Sequence, residues 1–189
     1  METPLFVYCL LSGLLVLAVL VSISDFRVRR IPNLLLLLAL IYAAALLTVF
    51  SVMHGVAFFF RGLMMSLLGM LMGWFFLYFP YRLRQVGAGD VKLMMVFGFY
   101  LGPMGVALAL LNGALIGGLW ALALSWRHGG PVQMISNLRL MWQSAWLSGF
   151  REMGWDLRSA GAVAMPYGVA LSAGAALVAL WQIWVRVPH

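Results

Sequence analysis

The sequence predicts an all-α, polytopic integral membrane protein with six transmembrane helices. Hydrophobic residues make up 65% of the chain and charged residues 9%, against roughly 45–50% and 25% in ordinary soluble domains. The apolar residues also occur in uncharged runs of about twenty, the length that crosses a hydrocarbon core of roughly 30 Å. Both observations indicate that the chain spans the bilayer several times.

Six apolar runs follow one another along the chain. The first follows Met1-Glu2-Thr3-Pro4, with no basic segment before it and no small-residue cleavage site after it, so we interpret it as a retained helix and not a secretory signal. The fourth and fifth divide one nearly uncharged stretch that is too long for a single crossing, and Gly102-Pro103 is the expected place to turn. The predicted spans are Leu5–Ser24, Leu34–Val52, Ala57–Phe79, Val91–Leu101, Met104–Trp126 and Ala162–Val185.

The basic residues favour six spans over five, because loop arginines and lysines accumulate on the cytoplasmic side. With six spans and the N-terminus outside, only Arg61 and Arg186 lie outside. Five spans would give a weaker asymmetry of seven inside against five outside. The cytoplasmic set in the six-span topology is Arg27, Arg29, Arg30, Arg82, Arg84, Lys92, Arg127, Arg139, Arg151 and Arg158.

The chain is predicted to form one membrane-embedded domain over residues 1–189. Its longest hydrophilic piece, at about 127–161, is too short for a second folded domain, and its amphipathic stretch is expected to lie at the cytoplasmic membrane surface. The net charge of +7 does not indicate a nucleic-acid partner, because the basic residues are scattered through short loops. The single cysteine, Cys9, cannot build a disulfide framework or a four-cysteine zinc site.

Two of the five acidic residues lie at the ends of apolar spans. Asp25 ends the first span and Asp90 begins the fourth, and both ends face the cytoplasm in the six-span topology. An ionisable group at membrane depth costs several kcal/mol and therefore needs a structural partner or a function. The other acids, Glu2, Glu152 and Asp156, fall at the terminus or in the hydrophilic loop.

The two aspartates admit a catalytic and a structural interpretation. Two carboxyls held close cannot both ionise easily, so one keeps its proton while the other acts as a base, which is how aspartic proteases activate water and protonate a leaving amine. Alternatively, Asp25 pairs with a neighbouring arginine and Asp90 with Lys92 or Arg84, and both merely fix helix ends. Physical chemistry alone does not decide between these two interpretations.

The residues around the aspartates shift this balance. Gly87 and Gly89 precede Asp90 and permit close backbone approach just before a helix start, so that a substrate strand can reach the carboxylate. Pro32-Asn33, after Asp25, is suited to begin the second helix. Lys92 is a weaker candidate, either biasing the charge state of Asp90 or simply extending to the interface.

Three elements in order make the chain resemble the prepilin peptidases, membrane-embedded GxGD aspartyl proteases that include the archaeal preflagellin peptidases. The first is Asp25 with Ile31-Pro32-Asn33, and the second is Gly87-x-Gly89-Asp90-x-Lys92-Leu93. The third is Met165-Pro166-Tyr167-Gly168, which is similar to the family's Pro-aromatic-Gly element. Together with six spans, the resemblance covers nearly the whole chain.

The resemblance implies a function and a set of roles. Asp25 and Asp90 would be the catalytic pair, Gly87 and Gly89 would present Asp90, and Pro166 and Gly168 would be structural residues near the site. The reaction would be cleavage of the short basic leader of a type IV pilin precursor at the cytoplasmic face of the bacterial inner membrane. No metal or other cofactor is implied, and the partners would be the prepilin and membrane lipid.

The chain departs from the larger family members, which carry an N-terminal cytosolic domain with paired CxxC motifs associated with N-methylation. We therefore expect the short, peptidase-only form that accompanies tight-adherence (Flp) pili, without methyltransferase activity. Two other classes stay open from the sequence: a proton- or cation-coupled transporter that uses the aspartates as ligands, and a non-catalytic component of a pilus or secretion assembly. The glycine pairs four residues apart fit packing within one copy or between copies, so the oligomeric state also stays open.

Overall fold

The computed structural model describes residues 4–83, 85–147 and 167–186, and all regular structure in these ranges is helical. Within these ranges, five helices are long and apolar enough to cross a membrane. This confirms the all-α membrane class but not the count of six, because one long helix covers the predicted fourth and fifth spans. The helices are α1 (Pro4–Val28), α2 (Asn33–His54), α3 (Val56–Arg82), α4 (Ala88–Leu147) and α5 (Tyr167–Arg186).

The turn between α2 and α3 consists of one glycine. Gly55 has φ of 87° and ψ of 168°, and its N–H donates a hydrogen bond of 2.8 Å to the carbonyl oxygen of Ser51. Only glycine adopts this backbone conformation without a steric penalty, so α2 can end and α3 can begin at the same residue. The rings of Phe6, Phe50 and Phe58 pack edge to face beside this turn, with centroids 5.3 Å apart in each contact of Phe6.

Helices α3 and α4 approach each other backbone to backbone. A Cβ atom at residue 69 would overlap the carbonyl oxygen of Gly98, and one at residue 98 would overlap the carbonyl oxygen of Gly69. One turn further along α3, a Cβ atom at Gly73 would overlap the carbonyl oxygen of Met94. Small residues four apart thus serve close packing within one copy, with the start of α4 running antiparallel to α3.

One end of the helix bundle contains three segments: the start of α4, the middle of α4 and the start of α5. The Cδ1 atom of Ile31 lies 3.6 Å from the Cβ position of Gly89 and 3.2 Å from that of Gly168. The Cβ position of Gly113 is 3.2 Å from the carbonyl oxygen of Ala170. In a straight helix residues 89 and 113 would be roughly 36 Å apart, so α4 must fold back between them.

The change of direction falls at Gly102. This residue has φ of 70°, the left-handed conformation that commonly ends helices, and Pro103 follows it. After it, the Cβ position of Gly105 lies 3.1 Å from Nε2 of Gln182, near the end of α5. Residues 105–113 therefore run antiparallel to α5, and the chain turns where Gly102-Pro103 predicts a turn.

Helix α5 packs between α1 and α4 and extends from one end of the bundle to the other. At one end the Tyr8 hydroxyl donates a hydrogen bond of 3.1 Å to the carbonyl oxygen of Arg186. The opposite end, which carries Asp25, Ile31 and Gly168, is called the site end below. The segment expected as a hydrophilic loop from 127 is helical as far as Leu147. Residues 148–166 lie outside the described part of the chain, and the position of the 127–161 segment at the membrane surface stays a prediction.

Candidate active site

Asp25 lies in the last turn of α1 and is 7% exposed. The helix ends three residues later, where Arg29 adopts φ of 52° and its N–H donates a hydrogen bond of 3.0 Å to the carbonyl oxygen of Asp25. The Ser24 hydroxyl donates a bond of 2.8 Å to the carbonyl oxygen of Arg30, which holds the turn. A left-handed conformation costs a non-glycine residue roughly 1–2 kcal/mol, so the turn beside Asp25 is held against local strain.

The carboxyl of Asp25 meets the first turn of α5. A Cβ atom at residue 168 would lie 2.8 Å from Oδ2 of Asp25 and 3.1 Å from its Cγ, so only glycine leaves room for the carboxyl. The backbone amides of Gly168 and Val169 face the carboxyl. Amides in the first turn of a helix have no partner within that helix and carry partial positive charge, so they favour a carboxylate.

Asp90 lies in the first turn of α4 and is partly buried. Its Oδ2 accepts a hydrogen bond of 3.2 Å from the N–H of Gly87, and its own N–H donates one of 3.1 Å to the carbonyl oxygen of Gly87. A side chain at the third helical position that reaches back to the capping residue is half of a capping box. Gly87 therefore fixes the carboxyl of Asp90 directly.

The position of Gly89 corrects one expectation from the sequence. Both glycines were expected before the helix, but α4 begins at Ala88, so Gly89 is already helical. Neither Gly87 nor Gly89 has a positive φ, since the described glycines that do are Gly55 and Gly102. Gly87 and Asp90 instead cap the start of α4 in ordinary backbone geometry. A Cβ atom at Gly89 would make only van der Waals contact with Ile31, at 3.6 Å.

The structure brings Asp25 and Asp90 together at the site end. They belong to α1 and α4, and their carboxyls are near enough to interact electrostatically. Ile31 lies between the two halves of the site, in contact with the Cβ positions of Gly89 and Gly168. Residues separated by more than 140 positions in the sequence thus form one cluster that includes both aspartates.

The Ile-Pro-Asn and GxGDxK elements are joined by a hydrogen bond. The Lys92 ammonium donates to Oδ1 of Asn33 over 3.2 Å. Pro32 precedes α2 with φ of −65° and ψ of 124°, and its carbonyl oxygen accepts a hydrogen bond of 3.1 Å from the N–H of Leu35. The observed contact of Lys92 is therefore with the start of α2, which ties the first turns of α2 and α4 together.

Two residues in this part of the structure were given no role from the sequence. Tyr167, the first residue of α5, interacts electrostatically with Asp90; its place between Pro166 and Gly168 was the available signal. Ser172 is 1% exposed, and no feature of the sequence distinguished it from other small residues of the last span. Pro166 itself lies outside the described residues, so its expected role stays a prediction.

These features define a multi-pass helical membrane protein with an acidic pair at one end of its bundle. The model of the type IV leader peptidase family matches residues 11–122, more than half of the chain and including both aspartates. The chain therefore belongs to the type IV leader peptidase family, as its motifs predict. No curated protein and no solved structure matches it. Membership makes the chain a protease of the leader peptidase kind, with prepilin-type substrates in general.

Proposed function

We propose that this chain is an aspartic endopeptidase that removes the leader of type IV prepilins of the Flp kind, with Asp25 and Asp90 as the catalytic pair. The observation that supports the proposal is that these two carboxyls come from separate helices and are near enough to interact electrostatically. The backbone amides at the start of α5 face the carboxyl of Asp25, and the N–H of Gly87 donates a hydrogen bond to Oδ2 of Asp90. Simple ion pairs at helix ends would not require the two acids to lie at the same end of the bundle.

In the proposed reaction one aspartate is ionised and the other is protonated. The carboxylate takes a proton from a water molecule while the water oxygen attacks the carbonyl carbon of the scissile peptide. The tetrahedral intermediate then collapses as the protonated aspartate gives its proton to the leaving nitrogen. The C–N bond breaks, and the pair has exchanged its protonation states.

The surroundings of the pair suggest how a substrate reaches it. Gly87 and Gly89 carry no side chain on the approach to Asp90, so an extended leader segment can pass close to the backbone there. Pro32 and Asn33 fix the start of α2 on the same side, and Pro166 is proposed to support the start of α5. Lys92 is proposed to act through Asn33, by holding the starts of α2 and α4 in register.

Six crossings and a cytoplasmic site are supported by two features. The reversal of α4 at Gly102 lets this helix cross twice, and the site end carries Arg27, Arg29 and Lys92. The opposite end carries Arg186, at the close of α5. This asymmetry favours an N-terminus outside and a site facing the cytoplasm, in the inner membrane of a bacterium.

The proposed activity is limited to peptide-bond cleavage. The single cysteine, Cys9, cannot supply the paired CxxC motifs associated with methylation, so no methyltransferase activity is proposed for these residues. A transporter would need its carboxylates on a path open to both faces, whereas both aspartates lie at one end of the bundle. This placement favours the peptidase over the transporter.

Co-expression with a prepilin from the same genome tests the proposal. Leader removal is followed by precursor size for the wild type, Asp25→Asn and Asp90→Asn, with Glu152→Gln as the control acid. We expect processing by the wild type and Glu152→Gln and loss of processing in both aspartate variants at normal protein levels. Processing by either aspartate variant would remove the pair from the mechanism.

A further inference from the structure

Two buried polar atoms near the site lack hydrogen-bond partners among the described residues. They are Oδ2 of Asp25 and the hydroxyl oxygen of Ser172. Both residues are more than nine-tenths buried, at 7% and 1% exposed. Leaving a buried polar group unsatisfied is unfavourable, so one interaction that satisfies both atoms would stabilise the site.

Ser172 lies on the face of α5 that carries Gly168, and Gly168 meets Asp25 of α1. Oδ2 of Asp25 lies 2.8 Å from the Cβ position of Gly168, and Ser172 follows Gly168 by four residues on the same face of α5. Side chains of a helix lean toward its N-terminus, so the Ser172 hydroxyl is directed toward the turn that meets Asp25. The adjacent face of α5 packs on α4 instead, where Leu171 contacts Gly113.

One buried water molecule can join the two oxygen atoms. Neither atom has a hydrogen-bond partner among the described residues, so the two are not bonded to each other directly. Side chains four residues apart on a helix are neighbours, with Cβ atoms about 5–6 Å apart, so the Ser172 hydroxyl lies one helical turn from the contact of Gly168 with Oδ2 of Asp25. A buried water requires polar partners, and here a carboxyl and a hydroxyl supply them. We propose that Ser172 is a positioning residue whose hydroxyl and Oδ2 of Asp25 share one buried water on the membrane side of the catalytic pair.

This inference rests on the proposed function, because it gives Ser172 an effect on catalysis through Asp25. The bridging water fixes the orientation of the carboxyl from the side opposite the substrate. Loss of the hydroxyl therefore lowers kcat and leaves KM nearly unchanged, since Ser172 is too buried to touch substrate. If Ser172 had only a structural role, Ser172→Ala would leave kcat unchanged and would raise the stability of the protein, because it removes an unsatisfied buried hydroxyl.

The test compares Ser172→Ala and Ser172→Thr with a matched control, Ser22→Ala. Ser22 lies on α1, and its hydroxyl already donates a hydrogen bond of 2.7 Å to the carbonyl oxygen of Ala18. In purified protein acting on a prepilin peptide, we expect Ser172→Ala to lower kcat roughly tenfold at constant KM. We expect Ser172→Thr, which keeps the hydroxyl, and Ser22→Ala to stay within about twofold of the wild type.

A second measurement does not depend on cleavage. The infrared carboxyl bands that disappear in Asp25→Asn belong to Asp25, and Ser172→Ala should shift them while Ser22→Ala does not. Unchanged kcat or unmoved bands in Ser172→Ala would overturn the inference. Failure of the wild type to cleave would instead refute the proposed function, and the infrared bands would still decide whether Ser172 and Asp25 are joined.

Discussion

Oδ2 of Asp25 lies 2.8 Å from the place where a residue other than glycine at position 168 would carry its Cβ atom. The last turn of α1 and the first turn of α5 therefore meet with no side chain between the carboxyl and the α5 backbone. This contact explains why a glycine belongs at the start of α5, and it makes the orientation of Asp25 dependent on Gly168.

Gly168→Ala should abolish most of the activity while the protein still folds. The added methyl group displaces the carboxyl of Asp25, and misplacement of a catalytic group by about 1 Å can cost roughly 100-fold in rate. Gly118→Ala is the matched control, because a Cβ atom there meets nothing within 4 Å. Both variants gain helix propensity, so normal membrane levels with a large difference in kcat are expected. Equal activity of the two would show that Gly168 does not orient Asp25.

Gly89→Ala separates substrate approach from packing. Its Cβ atom would lie at an ordinary 3.6 Å from Ile31, so the variant should fold and keep the stability of the wild type. If a substrate strand passes close to this backbone, the methyl group should raise KM severalfold for a prepilin peptide. An unchanged KM in titrations of peptide concentration would mean that the substrate does not approach Gly89.

Lys92 variants distinguish a positional role from a charge effect. Lys92→Gln keeps a hydrogen-bond donor for Asn33 and removes the charge, whereas Lys92→Met removes both. Because the bond to Asn33 joins two helix starts, we expect near-normal kcat in Lys92→Gln and a few-fold loss in Lys92→Met. Asn33→Leu should then add little to Lys92→Met, as for any two residues that act through one contact. Equal losses in Lys92→Gln and Lys92→Met would assign the effect to charge.

The double crossing of α4 is testable by side-specific cysteine labelling in a Cys9→Ala background. Single cysteines replace Arg61, Arg82 and Arg127 and are treated with an impermeant thiol reagent in oriented vesicles. A reversal at Gly102 places positions 82 and 127 on the same side and position 61 on the other. Labelling of positions 82 and 127 from opposite sides would mean that α4 crosses only once.

Hydrophobicity and charge were sufficient to predict the class of fold and the ends of α1, α2 and α3 to within a few residues. Burial in lipid requires long apolar helices, and such a pattern is readable without tertiary information. The helix break at Gly102-Pro103 was also visible, because both residues are poor continuers of a helix. An amphipathic stretch was predicted beyond residue 127, but its continuity with α4 was not, because the hydrophilic composition of that segment indicated a loop after the fifth span.

The residues of the candidate site that belong to short sequence motifs could be predicted. The contacts that depend on tertiary packing could not. Asp25, Asp90 and Gly168 each stand in a recognisable local pattern. The hydrogen bond from Lys92 to Asn33 and the burial of Ser172 depend on how distant helices pack, and no local pattern encodes that. Charge proximity alone suggested that Lys92 acts on Asp90, while the structure pairs it with Asn33.

Cleavage by purified protein in liposomes tests the two-aspartate mechanism most directly. A prepilin peptide is incubated with wild type, Asp25→Asn, Asp90→Asn and Gly118→Ala at equal amounts of folded protein, and products are identified by mass. The account predicts a single cut between leader and hydrophobic segment by the wild type and Gly118→Ala, and loss of at least about 1,000-fold in each aspartate variant. Cleavage at a near-normal rate by either Asp25→Asn or Asp90→Asn would contradict it.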